Sequence, residues 1–282
     1  MQKIARESEA NVYSQSGEDG ILADIFRCIG DGNRYACEFG AWDGKYCSNV
    51  ASLIDSGWTA VMIEGDPVKF TELQANYHEN EQIVLLCAYV DIDGSNSLDA
   101  ILQRVGRQVD LDLLSVDIDG NDYWILAGIE AKPRVICVEF NVTMGPWHGY
   151  INPRGHCHGT GMASFVELMT TRGYYLVYAT VNNLFFVRGD QLKALQPVSA
   201  GEAFQGFAAH MTVIGSFFDG GNVVLGAKRN MWTQVTNARA VMPPAFLRRW
   251  PQSRWRILTQ QLIFNGPMEL ARRILRRLGW SR

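Results

Sequence analysis

Ala36-Cys37-Glu38-Phe39-Gly40-Ala41-Trp42-Asp43-Gly44 decides how the rest of the chain is read. Its first half reads as a buried strand and its second as a glycine turn. Further on, Val61-Met62-Ile63-Glu64 reads as the next strand, ending in a carboxylate. Turn glycines let a backbone approach a ligand closely. A carboxylate at the end of the following strand can accept both hydroxyls of a ribose. Together they predict a nucleoside site at the carboxyl edge of a parallel sheet. The spacing is E-x-G-x-x-x-G over Glu38, Gly40 and Gly44. It lacks the middle glycine with which G-x-G-x-x-G admits a pyrophosphate.

The flanking pattern supports a parallel sheet. Strand-like runs occur at 34–39, 59–64, 83–88, 111–118 and 134–140. Segments of helical length, 45–56, 67–79, 95–107 and 121–129, lie between them. That alternation predicts right-handed β/α crossovers. Before it, residues 16–30 read as a capped helix with Ile21, Leu22, Ile25, Phe26 and Ile29 on one face. After it, a helix over 162–172 runs into Tyr174-Tyr175-Leu176-Val177-Tyr178. A turn at Asn182-Asn183 then leads into Leu184-Phe185-Phe186-Val187, a hairpin signal. Residues 196–245, which contain Val223-Val224-Leu225, show no clear period. From Pro243 helical periodicity returns, with Leu270, Ile274, Leu275 and Leu278 in one stripe among Arg272, Arg273, Arg276 and Arg277.

With 282 residues, 47% of them hydrophobic, the chain can build one full domain and an appendage. Charge marks the division. Residues 228–282 hold twelve Lys/Arg against one acid, Glu269, leaving fourteen basic and twenty-eight acidic residues in 1–227. The expected organisation is a ligand-binding domain over 1–227 and a basic, mainly helical extension over 228–282. No apolar run is long enough to span a bilayer, and Met1-Gln2-Lys3-Ile4-Ala5-Arg6-Glu7 lacks a signal-peptide core. The six cysteines form no C-x-x-C, and Cys37, Cys87 and Cys137 fall in apolar runs. They read as buried thiols of a reducing cytoplasm. The basic extension can dock on the acidic body, within or between subunits as in a homo-oligomer. It can also lie on the anionic inner face of a membrane. Nucleic acid is not expected as a partner, because the acidic body would repel phosphates.

Two segments carry candidate chemistry. In Leu111-Asp112-Leu113-Leu114-Ser115-Val116-Asp117-Ile118-Asp119-Gly120-Asn121-Asp122, strand alternation puts Asp117 and Asp119 on one face. The next strand ends in Glu139-Phe140-Asn141. These oxygens could bind Mg²⁺, with Asp117, Glu139 and Asn141 as the expected ligands. Alternatively, one carboxylate serves as general base. Asp122 reads equally well as a turn or helix cap. The loop from Met144 to Gly159 holds His148, His156 and His158, three of the five histidines. The expected catalytic set is Asp117, Asp119, His148 and His158. His156-Cys157-His158 lacks zinc-site spacing. Trp147 and Tyr150 suit stacking on a sugar ring, and Arg154 suits an anionic group.

The E-x-G-x-x-x-G loop resembles motif I of the class I S-adenosylmethionine-dependent methyltransferases. The resemblance places Glu38 near the methionine end of the cofactor, Gly40 and Gly44 in the loop, and Glu64 on the ribose. Ser14-Gln15-Ser16-Gly17-Glu18-Asp19-Gly20 adds to it. So do the run through Asp122 and the pieces Gly173-Tyr174-x-Leu176 and Asn183-x-Phe185-Phe186-Val187. Over residues 12–188 the chain resembles FkbM-type methyltransferases, which methylate hydroxyls, often on sugars. That implies Gln15 and Asp19 closing the pocket, with Glu38, Gly40, Glu64 and Asp117 holding cofactor or substrate. Many relatives read D-x-E-G-x-E where this chain has Asp117-Ile118-Asp119-Gly120-Asn121-Asp122, so its acids are shorter. The implied fold is α/β, a mostly parallel seven-stranded sheet with helices on both faces and a C-terminal helical extension. The implied activity is O-methylation of a saccharide hydroxyl. The competing readings are an NAD-dependent oxidoreductase or epimerase and a non-catalytic partner subunit.

Overall fold

The computed structural model describes residues 2–106 and 111–204, together with the strand segments 213–216 and 222–225. The first helix, α1, is Glu18–Ile29. Alternating elements follow: β1 Tyr35–Phe39, α2 Ala51–Asp55, β2 Thr59–Glu64, α3 Pro67–Tyr77, β3 Ile83–Cys87, α4 Leu98–Arg104, β4 Leu113–Val116, α5 Asp122–Gly128 and β5 Val135–Glu139. The chain then forms α6 Met162–Thr171, β6 Tyr174–Ala179, β7 Asn183–Arg188 and α7 Ala200–Phe204. The sheet order is β3-β2-β1-β4-β5-β7-β6, with β1 to β5 parallel and β7 antiparallel to both neighbours. This is the class I methyltransferase (Rossmann-like) sheet.

The strands are central because of their composition. β1, β4 and β5 are buried at every position, so helices must cover both faces. The predicted apolar face of α1 is buried throughout and packs with Met62, Val135, Cys137 and Phe185 of the sheet. Phe26 meets Trp58 edge-on, with ring centroids 4.6 Å apart. Cys37 and Cys137 are buried as expected. Cys87 is exposed, since it is the last residue of edge strand β3.

Several boundaries are trimmed by a few residues, and two of the differences have a clear local cause. Residues 45–50 are loop, and only Ala51–Asp55 of the predicted 45–56 helix forms. Asp43 Oδ1 accepts from the N–H groups of Lys45 and Tyr46 at 2.9 and 2.7 Å, and Cys47 takes a left-handed φ of 59°. Local side-chain bonds outcompete the helix there. The hairpin turn lies at 180–182 and Asn183 already belongs to β7, because Thr180 Oγ1 accepts the Asn183 N–H at 3.0 Å.

The amino-terminal edge of the sheet is closed by a buried ion pair. Fully buried Asp112 accepts from Arg134 at 2.7 Å, and Arg134 also donates to the terminal carbonyls of α1 at Ile29 and Gly30. Arg134→Met leaves Asp112 charged and uncompensated. The expected loss is about 3–5 kcal/mol in denaturant unfolding. A loss below about 1 kcal/mol would show that water already solvates the pair.

A second compact unit begins at Ala208 and contains the antiparallel strands β8 Val213–Ser216 and β9 Asn222–Leu225. The Val223-Val224-Leu225 run, unassigned in the sequence, is thus a strand. The predicted boundary at 227/228 and the predicted helical periodicity from Pro243 lie outside the described residues.

Candidate functional site

Strand register places the candidate residues in one row. Phe39 pairs with Ile63 and with Val116, Val116 with Val138, and Glu139 with Asn183. One residue beyond the first three pairings, the row reads Glu64, Gly40, Asp117, Glu139, Asn183 across five adjacent strands. Glu64 and Glu139 are three strand spacings apart, about 14 Å. They therefore serve different parts of a ligand. Two clefts of about 700 and 340 Å³ lie elsewhere and include neither Glu64, Asp117 nor Glu139.

The two glycines act first on the protein. Gly40 has φ +77°, and a Cβ there would lie 1.6 Å from the Asp117 carbonyl oxygen. A Cβ on Gly44 would strike Leu73 and Tyr77 of α3. They permit the close approach of β4 and α3, and this is the direct reason they are glycine. Buried Glu64 holds the loop: Oε2 accepts the Trp42 N–H at 2.7 Å and Oε1 the Asp66 N–H at 2.7 Å. Each carboxylate oxygen keeps a further lone pair for a ligand hydroxyl. Glu38 is inside the protein. It accepts from Ser48 Oγ at 2.6 Å and the Asn49 N–H at 2.7 Å, so it shapes the loop from beneath.

The N-terminal segment lies against this loop, with the Cys47 N–H donating to the Tyr13 carbonyl at 3.1 Å. Asp19 Oδ2 gathers the N–H groups of Val12, Tyr13 and Ser14 at 2.7–2.9 Å. Its Oδ1 is buried without a hydrogen-bond partner among the described residues. Gln15 is exposed, and its carbonyl accepts from Asn11. Glu18, fully buried, accepts from Thr180 Oγ1 at 2.6 Å and Asn183 Nδ2 at 3.2 Å. Sequence reading passed over Glu18 because an acid in a first helical turn is ordinary capping chemistry.

Asp117, Asp119 and Glu139 do converge, each offering an oxygen within 4.8 Å of the others. Strand alternation is not the cause, since β4 ends at Val116 and Asp119 adopts a left-handed φ of 57°. Asp122 fixes that turn, accepting from the Ile118 and Gly120 N–H groups, both at 2.9 Å. Asn152 clamps it from the other side, donating to the carbonyls of Gly120 and His156. A lone asparagine between Ile151 and Pro153 gave no signal for that role. Asn141 is not available as a ligand. Its Oδ1 accepts from Thr143 and its Nδ2 donates to the His158 carbonyl. Nor do the histidines join the acids. His148 Nδ1 lies 3.0 Å from the Met144 carbonyl and His158 Nδ1 3.1 Å from the Tyr150 hydroxyl, both on exposed side chains. Arg154 stacks its guanidinium 4.7 Å from the Trp124 ring centroid.

Burial raises Glu38, Asp117, Asp119, Asp122 and Glu139. Asp117 is pushed up to about 8 by desolvation first, then by the charges of Asp122 and Asp119. Glu139 goes well above the carboxylate range by burial and by Asp117. Glu38 reaches about 7 through burial, opposed by its bonds to Ser48 and Asn49. A carboxyl whose folded value exceeds its unfolded value contributes stability that is full in acid and lost as pH rises. For Glu38 the window runs from about 4.5 to about 7. Glu38→Gln is expected to flatten the fall in melting temperature over that window by several degrees. An unchanged slope would show that Glu38 is ionised throughout.

No protein-family model matches the chain, and no curated protein does. Among solved structures, the N-terminal domain of EvdMO1 with SAH bound is 13% identical, with a TM-score of 0.42 over 62% of this chain and 82% of that one. A Staphylococcus aureus protein described as a caffeoyl-CoA O-methyltransferase is 13% identical, TM-score 0.44, covering 65% and 87%. The CMeT domain of the citrinin polyketide synthase is 12% identical, TM-score 0.42, covering 63% and 55%.

Proposed function

We propose that this chain binds S-adenosylmethionine and transfers its methyl group to a saccharide hydroxyl, as an FkbM-type O-methyltransferase. The supporting observation is the row on the class I sheet: Glu64 with spare acceptor capacity beside the glycine loop, and Asp117 with Glu139 two and three strands away. The loop suits a nucleoside without phosphate, because the N–H groups of Gly40 and Ala41 are already donated to the Ile63 carbonyl. When bound, the cofactor supplies an electrophilic methyl group. Glu64 holds the ribose hydroxyls. The segment held by Asp19 and the loop tied to Glu38 exclude water. Asp117, with Asp119 and Glu139, takes the proton of the attacking hydroxyl. Trp147, 72% exposed in the loop after β5, offers a face to a sugar ring.

An NAD-dependent reading is not favoured. The middle glycine is missing, and the strand beside β5 is antiparallel. The test is thermal stability with S-adenosylhomocysteine and, separately, with NAD. A ligand that binds only the folded state raises the melting temperature by mass action. A rise with S-adenosylhomocysteine alone is expected. A rise only with NAD would return Glu64 to the oxidoreductase reading.

A further inference from the structure

We propose that Arg154, His156 and His158, in the loop after β5, form a subsite for the phosphate of a phosphorylated sugar acceptor. Residues 140–166 contain no Asp or Glu, yet they hold Arg154 and three of the five histidines. The span 1–227 around them is acidic, with twenty-eight acids against fourteen basic residues. An acid-free stretch that carries a cation gives an anion local attraction in a body that otherwise repels it.

The guanidinium is placed in advance and left unspent. Arg154 stacks 4.7 Å from the Trp124 ring centroid, which orients its plane without using its N–H donors. Among the described residues, exposed Arg154 has neither an acid partner nor a hydrogen bond. Arg134 and Arg188, by contrast, spend theirs on Asp112, on Asp190 and on backbone carbonyls. His158 is oriented too, with Nδ1 3.1 Å from the Tyr150 hydroxyl, so its Nε2 is left for a ligand. The His156 ring centroid lies 5.4 Å from that of His158.

The loop that carries these groups is docked beside the acids. Buried Asn152 donates to the carbonyls of Gly120 and His156 and accepts the His158 N–H at 3.2 Å. The Gly155 N–H donates to Asn121 Oδ1 at 2.9 Å, and Trp124 Nε1 to the Asn152 carbonyl at 2.8 Å. Gly120, Asn121 and Trp124 follow directly on Asp119, so the subsite adjoins the acceptor end of the row. The donors select the anion. A guanidinium fork matches phosphate oxygens in pairs, and each neutral imidazole adds one N–H. Donors from three side chains suit the three terminal oxygens of a phosphate monoester better than the two of a carboxylate. Exposed Trp147 in the same loop offers a face to the sugar. In placing the phosphate on the acceptor, the inference rests on the methyl-transfer reading; the anion subsite itself does not.

The test is isothermal titration of the full chain, in phosphate-free buffer, with inorganic phosphate, glucosyl phosphate and uridine diphosphate glucose. One of the two sugar phosphates is expected to bind more tightly than inorganic phosphate, and which of them does so separates a free from a nucleotide-linked source. Arg154→Gln should weaken that binding by about tenfold or more, since it removes a charge-assisted pair of bonds. His158→Gln should weaken it by about threefold, the worth of one neutral bond. Both residues are exposed and Asn152 holds the loop through backbone groups, so both variants fold. Arg104→Gln, at an exposed arginine that ends α4, should leave binding unchanged. No binding of any probe at millimolar concentration overturns the subsite. So does inorganic phosphate binding as tightly as both sugar phosphates, or binding unchanged in either Arg154→Gln or His158→Gln. S-adenosylhomocysteine is titrated into the same sample. Its binding without that of a phosphate probe sinks the subsite alone, and a phosphate probe binding without it sinks the methyltransferase reading alone.

Discussion

Glu64→Ala is expected to weaken S-adenosylhomocysteine binding about a hundredfold to a thousandfold. A carboxylate that accepts both ribose hydroxyls makes two charge-assisted bonds, each worth about 1.5–3 kcal/mol. Their sum is about 3–6 kcal/mol; water entering the vacated site recovers part of it, and a net loss of about 3–4 kcal/mol converts at about 1.4 kcal/mol per tenfold. Glu64 also accepts the N–H groups of Trp42 and Asp66, so the alanine variant loosens the loop as well. Glu64→Gln separates the two effects. It keeps the side-chain volume and one acceptor oxygen, and removes the charge. Isothermal titration of both variants, alongside melting of the unliganded proteins, is the measurement. Binding within about threefold of wild type in Glu64→Ala would remove the ribose role.

Gly40→Ala is expected to leave little folded protein. Its Cβ would sit 1.6 Å from the Asp117 carbonyl oxygen and 2.7 Å from the carbonyl carbon, with no flexible side chain to move aside. Relief requires separating β1 from β4 at the centre of the sheet. Gly57→Ala is the control. Gly57 has a similar φ of +86° but nothing within 4 Å of a Cβ, so it loses only the backbone preference, about 1–2 kcal/mol. Circular dichroism and denaturant melting of the two variants separate conformational strain from collision. Equal, mild losses would show that the β1–β4 edge yields, and the loop would then not be fixed by packing.

Much of the architecture was legible because it rests on local periodicity. Apolar runs long enough for strands alternated with helical spacings, and the Tyr174–Val187 hairpin announced the antiparallel end of the sheet. The 45–56 helix was misread because Glu38, Asp43 and Ser48 take over the backbone N–H groups a helix would use. Nothing in their spacing shows that competition.

The candidate site divides in the same way. Glu38, Glu64, Asp117, Asp119 and Glu139 stand out in the sequence, because carboxylates at the ends of apolar strands need a reason to be there. Which of them keep acceptor capacity at the sheet edge and which hold the loop depended on partners far away in the chain. Glu38 proved internal, and Asn141 is committed to Thr143 and His158. His148 and His158 lie outside the acid cluster, because loop backbone rather than residue type aims their rings. Asn183 and Glu18 entered only through strand pairing. The sequence by itself therefore determined the sheet, its glycine turn and the acids on its edge, since each follows from residue order within a few positions. The tertiary structure alone decided that Gly40 makes room for Asp117 and that Asp119 meets Glu139, because both depend on contacts between strands distant in the chain.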